Sequence, residues 1–284
     1  MLVKKVLINS QMKNEIYSKY CYYPKQFHFS KYFTYSQYSA IHKGNNDDDN
    51  KIYLEIDGKI KSFWHDIPLT NKDSTYNTYN TYNMVIEIPC KSKLNLAMNL
   101  NEDNNPIILK SNKKPLNTTN NTRDYSKDPE MNYGFFPRTY SDKNKKYLNN
   151  EYNGDGDPVD VIEIGGPYNK KAGDILVVKL LGSFCLIDQG ELDWKIVVVN
   201  IENLPSNISQ DNTHSNSDAL SLITNKSKEI KELMHWFKIY KTFYGKSENI
   251  ILNNKFYSID ETIKTINELH TDYKNYLNKT KNIL

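Results

Sequence analysis

Arginine is nearly absent from this 284-residue chain: of its 37 basic residues only Arg123 and Arg138 are arginines. The planar guanidinium fork is what reads guanine edges and carboxylate pairs bidentately, so nucleic-acid recognition by that route is excluded. Cysteine is equally scarce. Cys21, Cys90 and Cys185 are odd in number and widely spaced, which leaves no disulfide framework and no metal-finger spacing and fits a reducing compartment. Long apolar runs are missing too. The longest, Ile175 to Ile187, is interrupted by Lys179 and falls short of the ~20 residues of a membrane-spanning helix, so no membrane partner is expected.

Acidic residues are lacking in one place only. Residues 1–46 hold seven lysines and a single acid, Glu15, whereas the rest of the chain carries 30 basic residues against 33 acidic ones. The net charge of +3 therefore conceals a basic leader and a mildly acidic body, and charge gives no support for a nucleic-acid partner. Organelle transit peptides share the bias of residues 1–46, although they favour arginine. A mitochondrial or other organelle leader is expected there, with a cytoplasmic chain carrying a lysine-rich tail as the alternative.

The folded domain is expected over residues 51–280. KIYLEIDGKIK (51–61) alternates around Asp57-Gly58 and reads as a β-hairpin. TYNTYNTYN (75–83) reads as a loop insertion, and NMVIEIP (83–89) as a strand ended by Pro89. Residues 99–131 are Asn-rich apart from the short PIIL (106–109). NYGFFPRTY (132–140), DPVDVIEIG (157–165), DILVVKLLGSFCLID (174–188) and WKIVVVNI (194–201) are β-branched and aromatic runs separated by short turns. Strands so closely spaced leave no room for crossover helices and favour a closed barrel. Helical periodicity follows over roughly 219–243 (Leu220, Ile223, Ile230, Leu233, Phe237) and 258–280 (Ile259, Ile263, Ile266, Leu269, Tyr273).

Carboxylates gather at two turns. GDGDPVD (154–160) brings Asp155, Asp157 and Asp160 into a bend entering a strand, and DQGELDWK (188–195) places Asp188, Glu191 and Asp193 between two strands, with Lys195 next. Alone, each turn is most simply a solvated loop. Together, at the ends of the most apolar strands, they form a set of hard oxygen donors that repel one another unless cations neutralise them, which suits Mg²⁺ or Mn²⁺.

NYGFFPRTY, GDGDPVDVIEIG, LIDQGELDWKIVVV and WFKIYKTFYGK resemble, in order and spacing, the soluble family I inorganic pyrophosphatases, and HDIPL and NMVIEIP resemble their eukaryotic branch. The resemblance covers roughly residues 51–275. It implies a mainly β fold, an OB-like closed five-stranded barrel with flanking C-terminal helices and Asn-rich insertions, that hydrolyses pyrophosphate to two orthophosphates with several Mg²⁺ ions. Carried over by position, Asp155, Asp160 and Asp193 would ligate the metals that hold the attacking water, and Asp188 would help to hold metals on the substrate. Asp157 would be the general base. Tyr133, Lys195, Tyr240 and Lys241 would contact phosphate oxygens, and Glu87 would stand in the outer shell. A homodimer is compatible with the resemblance.

Three positions depart from the family pattern. Asn95 and Ala97 stand where a phosphate-binding lysine and a metal-linked glutamate are expected, and Thr118 near where an arginine is. Lys93 and Arg123 are the nearest replacements. Losing a charged donor costs about 10²- to 10³-fold in rate, so a working but slowed enzyme is expected. A catalytically reduced homologue that binds metal and phosphate, or serves as a partner subunit, is the alternative. Oligonucleotide binding on the barrel, suggested by the fold type and 22 tyrosines, is disfavoured by the acidic body.

Overall fold

The computed structural model describes residues 38–43, 51–70, 81–92, 94–110, 129–204 and 223–281. The expected leader up to residue 37, Lys93, Thr118 and Arg123 lie outside the described residues.

The anticipated hairpin is β2 (Lys51–Ile56) with β3 (Lys59–Lys61), turning at Asp57-Gly58. Ahead of it, β1 (Tyr38–Lys43) pairs antiparallel along the whole of β2, from Tyr38↔Ile56 to Lys43↔Lys51. This corrects the expected start of the body near Lys51: six residues of the lysine-rich stretch are a strand. Tyr38, Ala40 and Ile41 are half-buried there while Ser39, His42 and Lys43 are exposed, a placement that composition hides. β4 (Thr81–Ile88) takes in the last residues of the TYN repeat, read above as a loop. Next come the ribbon of β5 (Leu96–Met98) and β6 (Ile107–Leu109), then β7 (Asn132–Phe135), β8 (Lys146–Tyr147), β9 (Tyr152–Gly154), β10 (Asp160–Glu163), β11 (Ile175–Asp188) and β12 (Glu191–Asn200).

Five of these strands close on themselves. β11 pairs with β4, β4 with β7, β7 with β10, β10 with β12, and β12 again with β11; only the β10–β12 pairing is parallel. All five are the runs legible in the sequence. Closure needs a strand that bends, and β11 shifts register between Leu180 and Gly182, a bulge that increases local twist.

Alternation along each strand sorts side chains into two environments. Met84, Ile86, Val161, Val178, Leu180, Cys185, Ile196 and Val198 fill the barrel interior, closed off by Ile266 and Leu269 of the last helix, α2 (Ile259–Lys281). Ser258 and Glu261 start that helix as a reciprocal capping box. On the outer side, Ile162, Phe184, Leu186 and Val197 are covered by Ile230, Leu233, Trp236 and Phe237 of α1 (Ser227–Ile239). Val85 and Phe135 are covered by Ile52 and Leu54 of the N-terminal sheet and by Phe63 of the turn that follows it. The expected 219–243 helix is therefore shorter as an α-helix: it ends at Ile239, tightens into a 3-10 turn over Tyr240–Tyr244 and stops at Gly245. Two-residue β13 (Ile250–Ile251) adds to the edge of β11.

Candidate active site

Between the two covers, α1 on one side and the N-terminal sheet with the β5–β6 ribbon on the other, the barrel's outer surface stays open. A cavity of about 500 Å³ lies there. Parallel pairing of β10 with β12 sets Asp160 beside Lys195, and the two-residue period puts Asp193 on the same face. Tyr133 comes from β7, where it pairs with Ile162, two residues beyond Asp160. Four chemically active groups from three strands thus share one spot.

Lys195 is the hub. Its ammonium contacts Asp160 Oδ2, Asp193 Oδ1 at 2.6 Å and the Tyr133 hydroxyl at 3.0 Å, and that hydroxyl donates to Asp160 Oδ2. Burial alone would discharge such a lysine, since its side chain is 5% exposed; the Asp160 and Asp193 carboxylates win and hold its pKa well above the usual lysine range. The Tyr133 hydroxyl is likewise pushed well up, by burial and then by Asp160.

The Asp155–Asp157 loop is tied to Ser141. Ser141 N donates to Asp157 O at 2.9 Å, Gly156 N to Ser141 O at 2.8 Å, and Asp157 N to Asp155 Oδ1 at 3.1 Å. A side chain at residue 154 would collide with the Ser141 carbonyl, so only glycine lets the loop approach this closely. Asp155 is raised to about 8 by burial and then by Asp193 and Asp160. Asp157 is raised by burial, with Lys110 as the strongest opposing influence. Glu87, buried on β4, accepts from Met98 N at 2.7 Å, and burial pushes it up to about 8. Asp193 rises to about 6.

Asp155, Asp157, Asp160, Lys195, Tyr133, Tyr240 and Glu87 all line the cavity, as do Asn95 and Ala97. Asp193 is outside that lining and bonds to Lys195. Asp188 sits at the β11–β12 turn, outside that lining, and accepts from Lys241 Nζ at 2.8 Å. The hairpin tip itself pairs with the start of the first loop, Glu191 with Asn153 and Leu192 with Gly154. Tyr240 is held in the 3-10 turn by stacking on Trp236, ring centroids 4.9 Å apart and 16° from parallel. Lys110, overlooked in the sequence, also lines the cavity. Its one signal there was its place at the end of the PIIL strand.

Among the described residues, no three carboxylate, imidazole or thiol groups stand as a ready-made metal-holding cluster. The donor chemistry nonetheless fits a hard cation. Asp155, Asp160 and Asp193 are all oxygen donors, and Lys195 does not neutralise them fully, because Asp155 still feels the charge of the other two.

Comparison with known proteins gives a consistent result. Residues 84–274 match the family described as inorganic pyrophosphatase. The chain is 34% identical over 226 residues to the chloroplastic soluble inorganic pyrophosphatase 6 of Arabidopsis thaliana, covering 78% of this chain and 68% of that protein. It is 34% identical over 218 residues to the inorganic pyrophosphatase of Candida albicans, covering 75% and 70%. Among solved structures, the type I inorganic pyrophosphatase from P. falciparum superposes with a TM-score of 0.70 at 29% identity, covering 99% of this chain and 87% of that one. With two thirds of its length in the family match and a third of its aligned residues shared with such relatives, the chain belongs to the inorganic pyrophosphatase family.

Proposed function

We propose that this chain hydrolyses inorganic pyrophosphate to two orthophosphates, with Mg²⁺ ions held by Asp155, Asp160 and Asp193 and, on the substrate side, by Asp188. The observation that carries the reading is the Asp160–Lys195–Asp193–Tyr133 cluster at the edge of a cavity lined by Asp155 and Asp157. Divalent cations, when bound, would neutralise the carboxylates and lower the pKa of water at the site.

The chain's own groups divide the remaining work. Asp157 takes a proton from the attacking water as its oxygen bonds to phosphorus; the bridging P–O bond breaks, and the leaving phosphate keeps the electron pair. An Asp157 carboxyl raised by burial is better matched to this task near neutral pH than an ordinary aspartate. Lys195 and Tyr133 donate to phosphate oxygens, and Lys241 and Tyr240 do so from the turn after α1, compensating charge that grows on the leaving group. Glu87 stands back from the reaction and fixes the β5 backbone through Met98 N.

Asn95 and Ala97 in the cavity wall support a rate below that of a wall carrying charge at both positions. Phosphate release from pyrophosphate in Mg²⁺ tests the reading, with Asp157→Asn as the control. The variant is expected to lose at least ~10²-fold in kcat, and equal rates would sink the assignment. Pyrophosphate that raises the melting temperature of the natural chain without turnover would instead support the catalytically reduced homologue.

A further inference from the structure

We propose that Lys110 is a pyrophosphate-binding residue of this cavity, donating to a phosphate oxygen from the β5–β6 ribbon. The inference rests on the hydrolytic reading and adds to it a residue that neither the sequence motifs nor the fold announces.

Placement comes first. The ribbon pairs Leu96 with Leu109 and Ala97 with Ile108, and the next step puts Lys110 opposite Asn95, with Lys110 N donating to Asn95 O at 2.8 Å. Residues directly opposed across an antiparallel pair point to the same side of the sheet, and both line the cavity. Asn95 brings no charge to this wall; the residue facing it does.

Availability comes second. Among the described residues, three lysines line the cavity: Lys91, Lys110 and Lys195. Lys91 is taken by Glu130 at 2.7 Å and Lys195 by Asp160 and Asp193. Among the described residues, Lys110 has no ion-pair partner, and its side chain is exposed. A lysine leaving a strand is ordinarily a solvated surface charge. This one shares the lining of one cavity with Asp155, Asp157, Asp160 and Glu87. A polyanion entering a cavity lined by carboxylates needs a cation that is not already neutralised, and among the described residues lining it Lys110 is the one positioned to supply it.

Steady-state kinetics and calorimetric titration with imidodiphosphate, both in saturating Mg²⁺, test this on Lys110→Ala, Lys110→Arg and the double variant Asn95→Lys/Lys110→Ala. Lys110→Ala is expected to keep its melting temperature, to raise KM for pyrophosphate about 10-fold with kcat within about 3-fold, and to weaken imidodiphosphate by a similar factor. Lys110→Arg should stay within about 3-fold of the natural chain, and a lysine moved across the ribbon to residue 95 should recover most of the loss. A Lys110→Ala protein whose KM and imidodiphosphate affinity both stay within about 2-fold overturns the proposal while leaving hydrolysis standing. If the natural chain shows no turnover yet binds imidodiphosphate in a Lys110-dependent way, Lys110 stands and hydrolysis falls.

Discussion

Lys195 carries two duties. Its ammonium is the only cation directly bonded to Asp160 and Asp193 among the described residues, so in the metal-free protein it is a structural counter-ion, beside the phosphate contact proposed for it. Lys195→Met preserves length and burial but strands two carboxylates against the Tyr133 hydroxyl. Removing one member of such a cluster costs about 3 kcal/mol, because the partners stay charged and partly desolvated. Melting in EDTA should show that loss, and saturating Mg²⁺ should restore part of it by taking over the neutralising role. A methionine variant at least as stable as the natural chain in EDTA would show that Lys195 is not the counter-ion described. The residue types of this cluster were legible in the motifs. The resemblance gathered them into one site, but not into bonds with each other: Asp160 and Lys195 touch because β10 and β12 pair in parallel with that register, a tertiary fact that no local pattern encodes. Lys110 escaped for the same reason, since only the pairing of β6 with β5 turns an unremarkable lysine toward Asp157.

Elements were legible in proportion to their length and burial. The five barrel strands and both helices announce themselves through β-branched runs or helical periodicity, whereas β8 and β9, of two and three residues, exist only because β12 and each other's edges offer partners. β1 was hidden differently, by composition: its lysine-rich surroundings look like a leader, yet its register against β2 is continuous over six pairs. Within the barrel, Gly134 marks how tightly β4 and β7 approach. A Cβ there would run into the Val85 carbonyl, with Ile86 close behind, so Gly134→Ala must push the two strands apart and displace Tyr133 beside it. Such overpacking costs about 1–3 kcal/mol. The expected signature is a lower melting temperature together with weakened pyrophosphate binding; a variant that melts like the natural chain would mean that the strands yield without strain.

At the scale of the whole molecule, an acidic body gathers carboxylates where a polyanion is to bind, and that conflict should appear as a pH dependence that metal removes. Asp155 and Glu87 are held at about 8 and Asp193 at about 6, all above their unfolded values. A carboxyl raised on folding keeps its proton longer in the folded chain, so the folded state binds more protons and stability falls as pH climbs through the window between the two values. His65 and His270 act in the opposite sense. Burial holds both below 6.5, so they add stability as pH rises toward that value, and the carboxylates are best isolated between about pH 7 and about pH 8.5. There the metal-free protein should lose on the order of 1 kcal/mol per pH unit. Saturating Mg²⁺ should flatten the slope, since the ion binds the charged carboxylates and lowers their pKa. Asp155→Asn should reduce the metal-free slope by removing one of the raised carboxyls. Chemical denaturation at half-unit pH steps, in EDTA and in Mg²⁺, measures both effects. A metal-free slope of zero, or one that rises with pH, would mean that these carboxylates are already neutralised by the protein itself, and the case for cations at the site would lose its electrostatic basis.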